Sequence, residues 1–270
     1  MKAIILAAGR GTRLGKYTEN MPKGLLKLSE KTILELQIEC YRNAGITDIS
    51  IVKGYKGELI NFSGVKYYWN RDFDTTNMVV SFMKASQEFT DDVIVSYADI
   101  VFELRILKQI IESKSDIAVL VDDNWEKYWH MRYGTIHCDI ESLRISDEGN
   151  ILEIGRTTTS KDEMNARYIG ILKFTKERLI DVLKIITEAS AGYSALPWKH
   201  SGKPYPEAYM TDLLQAIIDQ GIKVAAEKVS NGWLEFDSSR DYENALLWIS
   251  NGSINALFKD FNALINNNYN

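Results

Sequence analysis

The segment Leu6-Ala7-Ala8-Gly9-Arg10-Gly11-Thr12-Arg13-Leu14 constrains this chain more than any other. It continues Ala3–Ala8, a short, continuously apolar run that reads as a buried strand. A strand therefore opens directly into a glycine loop that carries two arginines. Small residues let the backbone approach a ligand closely, and exposed N–H groups can receive phosphate oxygens. Two familiar phosphate loops can be tested by spacing. A dinucleotide G-x-G-x-x-G needs glycine at position 14, which is Leu14. A G-x-x-x-x-G-K-[ST] loop fails because Gly11 to Gly15 is one residue short and Lys16 is followed by Tyr17. A structural glycine turn with solvated arginines is the plain alternative.

The rest of the first half alternates strand-like and helix-like segments. Thr32–Ala44 has apolar residues at helical spacing, opens with a Thr32-x-x-Glu35 capping box and ends before Gly45. Strands are expected at 48–53, 66–69, 92–98 and 116–122, with helices near 78–88 and at 103–113. This order predicts a parallel sheet covered by helices. The pattern then breaks. Segments 132–155 and 167–174 read as strands and turns, 175–189 as a helix and 191–207 as a loop. A short helix at 210–220 and strands near 223–227 and 233–237 lead to helices at 239–250 and about 254–264, before a frayed tail. With no internal repeat and no Ser/Gly linker, one domain over 1–270 is expected. It comprises an N-terminal half (1–122), a second half (123–238) and C-terminal helices (239–270).

Composition narrows the class. Thirty-two basic against 37 acidic residues leave a formal charge of −5, so no basic excess points to nucleic acid. Two distant cysteines, Cys40 and Cys138, make no disulfide framework or metal spacing. The N-terminal apolar run is too short for a signal peptide, and no stretch approaches the ~18 apolar residues of a membrane span. A cytoplasmic protein without membrane or nucleic-acid partners is expected.

After the glycine loop comes Met21-Pro22-Lys23-Gly24. Together the two elements resemble the signature of nucleotidyltransferases that join a nucleoside triphosphate to a phosphorylated acceptor, of the sugar-phosphate and phosphocholine cytidylyltransferase type. The resemblance implies a Rossmann-like, three-layer α/β/α core with a mixed, mainly parallel sheet and a small acceptor-binding lobe. It also implies a Mg²⁺-dependent reaction that releases pyrophosphate. Arg13 and Lys23 are implied to hold the triphosphate and the reacting α-phosphate. Leu6, Ala7, Ala8, Gly9, Gly11 and Thr12 are implied to cradle the nucleotide.

Such a site can be sparse. A phosphomonoester has its second pKa near ~6 and is already largely dianionic at neutral pH, so it can attack phosphorus without a general base. The enzyme must supply alignment and charge cancellation. The isolated His130, His137 and His200 are read as structural or exposed.

Candidate metal carboxylates follow. Asp99 ends the strand Ile94–Ala98, where ligands of parallel sheets gather. The resemblance places a metal-binding Asp there, often as D-x-D, but Tyr97 replaces the first acid. Trp233-Leu234-Glu235-Phe236-Asp237 alternates, which would put Glu235 and Asp237 on one strand face. It resembles the late E-x-D of phosphocholine cytidylyltransferases. Asp99 with Asp237 is the favoured metal pair, with Glu235 close behind. The alternatives are a solvated loop Asp99 and an exposed edge strand with Asp237 or Ser238 capping the next helix.

The segments around Gly54-Tyr55 and Asn77…Ser81 also resemble family elements near the base, with Asn77 equally suited to cap a helix. CTP is implied by this subgroup similarity alone. For the acceptor, Trp125, Tyr128, Trp129, Tyr133, Tyr168, Tyr209 and Trp233 offer ring faces that attract ammonium groups, although core packing is the usual role of such residues. Asp212 could pair with an ammonium or complement a helix dipole. Arg132 and Arg156 could fork onto a carboxylate or phosphate, or lie on the surface. The expected acceptor is a phosphorylated amine or amino acid, such as phosphocholine or phosphoglutamine, in capsule or surface-polysaccharide synthesis. The rivals are a sugar-1-phosphate nucleotidyltransferase using UTP, dTTP or GTP, and an inactive nucleotide-binding regulator. Retention of Arg13, Lys23, Asp99 and Asp237 together speaks against the last. Relatives of this type are often dimers, so a homodimer is an expectation carried by the resemblance alone.

Overall fold

A computed structural model describes residues 1–191 and 198–268. Positions 192–197 of the expected 191–207 loop, and the last two tail positions, lie outside the described residues. The strands are β1 (Lys2–Ala7), β2 (Lys27–Leu28), β3 (Lys31–Thr32), β4 (Ile49–Lys53), β5 (Val65–Trp69), β6 (Val93–Tyr97), β7 (Ile100–Phe102), β8 (Ile117–Asp122), β9 (Glu141–Ile145), β10 (Ile151–Thr157), β11 (Arg167–Phe174), β12 (Ala225–Val229) and β13 (Trp233–Glu235). The helices are α1 (Ile33–Asn43), α2 (Met78–Lys84), α3 (Leu104–Glu112), α4 (Trp125–Tyr133), α5 (Lys176–Ser190), α6 (Met210–Asp219), α7 (Ser239–Asn251) and α8 (Phe261–Asn266).

Seven strands form the central sheet in the order β12-β8-β11-β6-β1-β4-β5. Strand β1 is parallel to β4 and β6, β4 to β5, and β8 to β12, whereas β11 is antiparallel to both β6 and β8. Six strands thus share one direction, and their carboxyl ends line one edge. The mixed, mainly parallel α/β/α architecture agrees with the expectation. Side-chain alternation along β1 separates the two cores. Ala3, Ile5 and Ala7 pack with α1, α3, α4, α7 and α8, while Ile4 and Leu6 pack with α2, α5 and α6.

Helix α1 begins with the expected reciprocal capping box between Thr32 and Glu35. Two local readings are corrected. The segment from Trp125 to Tyr133 is a helix, not part of a strand-and-turn region reaching back to Arg132. Its buried Trp125, Tyr128, Trp129 and Arg132 fall at i, i+3, i+4 and i+7, the stripe of a helix laid against a core. The helix expected over 254–264 is split into a 3₁₀ turn at Ser253–Ala256 and α8, with Asp260 capping the latter by accepting from Ala263 N.

Candidate active site

The shared edge gathers the residues that follow the strands. Strand β1 delivers Ala8 and Gly9, β4 delivers Gly54, β6 delivers Asp99, and antiparallel β11 brings Arg167 and Tyr168 from its amino end. Two adjoining cavities open there. The smaller, about 90 Å³, is lined by Leu6, Ala8, Gly9, Lys23, Phe73, Thr76, Asn77, Met78, Ser81, Tyr97 and Asp99. The larger, about 500 Å³, includes Arg13, Asp139, Glu141, Arg167, Tyr168, Tyr209, Thr211, Glu235 and Asp237. Met78, Tyr97 and Asp99 belong to both walls.

The glycine loop is held from behind. Thr18 Oγ1 donates to Gly11 O at 2.9 Å, Tyr55 N donates to Ala8 O at 3.0 Å and Tyr55 Oη donates to Glu19 O at 2.8 Å. A Cβ on Gly54 would stand 2.6 Å from Ala8 O, so only glycine lets β4 come this close to the loop. Leu6, Ala8 and Gly9 face the smaller cavity, whereas Ala7 turns into the core and Thr12 is exposed away from both walls. Asn77 both lines this cavity and caps α2, its Oδ1 accepting from Met78 N at 2.9 Å. Ser81 is buried beside it, accepting from Asn70 Nδ2 at 3.0 Å.

The expected cations and carboxylates meet as ion pairs. Lys23 Nζ donates to Asp99 Oδ2, and Arg13 Nη2 lies 2.8 Å from Asp237 Oδ1. Asp99 is buried, and its Oδ1 has no hydrogen-bond partner among the described residues. Oxygens of Asp139, Glu235 and Asp237 approach within 4.8 Å of one another, a set of hard oxygen donors that suits a divalent cation. Ser238, not Asp237, caps α7 in a capping box with Asp241, which leaves the Asp237 carboxylate toward the cleft. Burial raises the pKa of Glu235, and the charge of Asp237 raises it further against the opposing effect of Arg132.

Several expected acceptor contacts are corrected. Trp125, Trp129 and Trp233 are almost wholly buried in an aromatic cluster with Tyr128 and do not line either cavity. The Trp129 face receives the chain's own Arg167, whose guanidinium carbon lies 4.3 Å from the ring centroid. Trp233 Nε1 donates to Asp122 Oδ2 at 2.8 Å. Arg132 is 1% exposed and sits behind the wall, bonding Glu235, Asp237 and both oxygens of Asp241. Arg156 pairs with Glu153 and Glu163 outside the cleft. Asp212 is buried and accepts from Tyr209 N at 2.9 Å, so it serves the start of α6. Tyr168 and Tyr209 do line the larger cavity.

Sequence reasoning missed Asp139, Glu141 and Arg167. Arg167 Nη1 donates to Asp139 O at 2.6 Å and supplies the cleft arginine that Arg132 and Arg156 do not. Glu141 is accessible to solvent yet enclosed by the cleft walls. That enclosure raises its pKa, with Arg167 opposing and Asp139 adding to the rise. Among the described residues its side-chain carboxylate has no ion-pair or hydrogen-bond partner.

The chain is similar to known proteins. Residues 3–158 match the family model of the MobA-like NTP transferase domain. The chain is 34% identical over 256 residues to CTP:phosphoglutamine cytidylyltransferase of Campylobacter jejuni, covering 90% of this chain and 98% of that protein. It is 30% identical to choline-phosphate cytidylyltransferase of Streptococcus pneumoniae over 56% of this chain and 67% of that one. Among solved structures, a CTP:phosphocholine cytidylyltransferase from Streptococcus pneumoniae superposes with a TM-score of 0.74 at 23% identity, covering 92% of this chain and 98% of that one. The inositol-1-phosphate CTP transferase of T. maritima superposes at 0.67 and 21% identity, covering 90% and 94%. These two share the fold. The chain belongs to the MobA-like NTP transferase family and is a nucleotidyltransferase whose relatives include cytidylyltransferases.

Proposed function

We propose that the enzyme transfers CMP from CTP to a phosphorylated amine or amino acid and releases pyrophosphate. One observation carries this reading: Asp99, held by Lys23, stands on the wall shared by a small cavity floored by the glycine loop and a larger acidic one. Nucleotide in the first and acceptor in the second would meet at that wall. An acceptor phosphate oxygen forms the new bond to the α-phosphorus, the α-phosphorus to bridging-oxygen bond breaks, and pyrophosphate leaves with the electron pair. Lys23 and Arg13 orient the triphosphate and offset its charge.

The residues fit a magnesium ion. Asp99, with its unpartnered buried oxygen, together with Asp237 and Glu235, would hold it, and Asp139 extends the set. Its chemistry there would be neutralisation of phosphate charge.

The character of the larger cavity supports an acceptor bearing an amine. Five carboxylates (Asp99, Asp139, Glu141, Glu235, Asp237) face two arginines (Arg13, Arg167). Asp237 is engaged by Arg13, Asp139 by Arg167, Asp99 by Lys23 and Glu235 by Arg132, which leaves Glu141 as the carboxylate open to a cation among the described residues. Arg167 suits a carboxylate on the same acceptor. The relatives named for phosphoglutamine and choline-phosphate support the same class.

The test is pyrophosphate release with Mg²⁺ across a panel of nucleoside triphosphates and acceptors: phosphocholine, phosphoethanolamine, O-phosphorylated or amide-phosphorylated amino acids, and hexose 1-phosphates. Turnover with CTP and an amine-bearing phosphate is expected. Turnover only with a hexose 1-phosphate and UTP, dTTP or GTP would replace the reading. Nucleotide binding without turnover on any acceptor would make the chain a regulatory module.

A further inference from the structure

Tyr97 and Tyr168 face each other at the junction of the two cavities. Tyr97 closes β6, and Tyr168 lies near the start of β11, the antiparallel neighbour of β6. Their rings meet edge to face at 5.8 Å, and Tyr168 Oη donates to Tyr97 Oη at 3.2 Å. Each phenol carries one O–H. A pair that shares one hydrogen bond therefore has one proton left to donate, whichever ring donates internally. Neither hydroxyl has a further partner among the described residues.

The position is built for this pair. Gly170, at φ +80°, packs under the Tyr97 ring, and a Cβ there would lie 2.8 Å from Tyr97 Cδ2. Any other residue would push the phenol out of the shared wall. Burial raises the pKa of both phenols, so both keep their protons at neutral pH.

We propose that the Tyr97–Tyr168 pair is a specificity element that donates its spare hydrogen bond to a phosphoryl oxygen of the acceptor. The inference rests on the transfer reaction proposed above. Asp99, on the same wall, is a carboxylate and repels a phosphate unless a cation such as Lys23 intervenes, and the cavity's arginines, Arg13 and Arg167, are paired with Asp237 and Asp139. A neutral hydroxyl pair adds a donor there without removing the negative charge that an ammonium needs. The ammonium itself has no lone pair and cannot accept from the pair. The two ends of the acceptor are thus told apart: the phosphoryl group at Tyr97–Tyr168, beside the nucleotide, and the amine toward Glu141.

The test compares the wild type with Tyr97→Phe, Tyr168→Phe and the double variant, all of which keep both rings and their packing. Each single variant retains one O–H, now released from its internal bond, whereas the double variant has none. With CTP and phosphocholine, or whichever acceptor the panel identifies, acceptor KM should rise by no more than roughly threefold in either single variant. It should rise roughly tenfold or more in the double variant, with CTP KM unchanged. A readout independent of turnover is calorimetric titration of inorganic phosphate into protein already saturated with CTP. The same ranking is expected there. Effects that simply add, an unaffected double variant, or no phosphate binding by the wild type would overturn the inference. If phosphate binding follows the ranking but no nucleotide is consumed, the transfer reading falls and the phosphate site stands. If CTP is consumed with equal acceptor KM by all four proteins, the reverse holds.

Discussion

Arg13, in the loop after β1, holds Asp237, just beyond β13, across 2.8 Å, although 224 positions separate them in the chain. Lys23 holds Asp99 in the same way. The cations expected to engage a triphosphate are thus engaged by the carboxylates expected to engage a metal. Binding of either ligand alone breaks a pair and strands one partner, whereas nucleotide and cation together replace both pairs at once. CTP binding should therefore tighten with Mg²⁺ by more than formation of the Mg–CTP complex accounts for. Asp237→Asn, which releases Arg13, should bind CTP without Mg²⁺ at least as tightly as the wild type and lose most of the Mg²⁺ enhancement. Calorimetry with and without Mg²⁺ checks both, and an enhancement unchanged in the variant would refute the exchange.

Lys23→Ala and Asp99→Asn should each lower turnover roughly 10²-fold or more, the scale seen when one preorganised charge-stabilising group is removed. Asp99→Asn keeps an oxygen that can accept from Lys23 but removes the charge of this buried pair, so a thermal melt must show that the variant is still folded at the assay temperature. Pyrophosphate release and a thermal melt decide. A near-normal rate in either variant removes its assigned role.

Glu141→Gln keeps the shape of the cleft and removes its unpaired carboxylate. KM for an amine-bearing acceptor should rise roughly tenfold, the scale of one charge-assisted hydrogen bond, with CTP KM unchanged. An equal rise for hexose 1-phosphates, which carry no ammonium, would argue against a cation-reading role.

The parts of the site that were legible in the sequence are those fixed by local chain geometry. The loop after β1, Lys23 and Asp99 each follow directly from a strand end or a compact motif, so order along the chain fixes their place in space. The acceptor wall is different. Asp139, Glu141 and Arg167 are single side chains, brought to the cleft by the β9–β10 ribbon and by the antiparallel insertion of β11 between β6 and β8, and no local pattern announces that pairing. Trp125, Trp129 and Arg132 were misread for a simpler reason. Their i, i+4, i+7 spacing is that of a buried helical stripe, and that period outweighs the ligand-binding capacity of the individual side chains.

Arg132 makes the consequence of that burial measurable. Its guanidinium is surrounded by Glu235, Asp237 and Asp241, so removing it leaves acids without their cation behind the cleft wall. Arg132→Met should destabilise the fold by about 3–5 kcal/mol, the range for breaking a buried ion pair from one side. Arg132→Lys should recover part of the loss, because it restores charge without the bidentate fork onto Asp241. Urea unfolding of the three proteins gives the comparison. A loss below about 1 kcal/mol in Arg132→Met, the ceiling for an exposed pair, would contradict the burial argument.

Glu88 gives a pH dependence independent of the cleft. Burial pushes its pKa up, but hydrogen bonds from Lys2, Tyr68 and Lys66, together with the charge of Lys2, hold it down to about 2. Lys2 Nζ lies 2.7 Å and Lys66 Nζ 3.1 Å from Oε2. A carboxyl whose pKa is lower in the folded chain than in the unfolded chain adds stability above its ordinary range, near 4.5, and that stability is lost as pH falls toward about 2. At pH 7 the contribution is of order 3 kcal/mol. Glu88→Gln cannot titrate. Its stability deficit relative to wild type should therefore be full at pH 7 and shrink steadily between pH 4.5 and pH 2. Urea midpoints measured at pH 7, 4 and 3 follow the difference, and a deficit that stays constant over that range would show that the ion cluster does not lower this carboxyl.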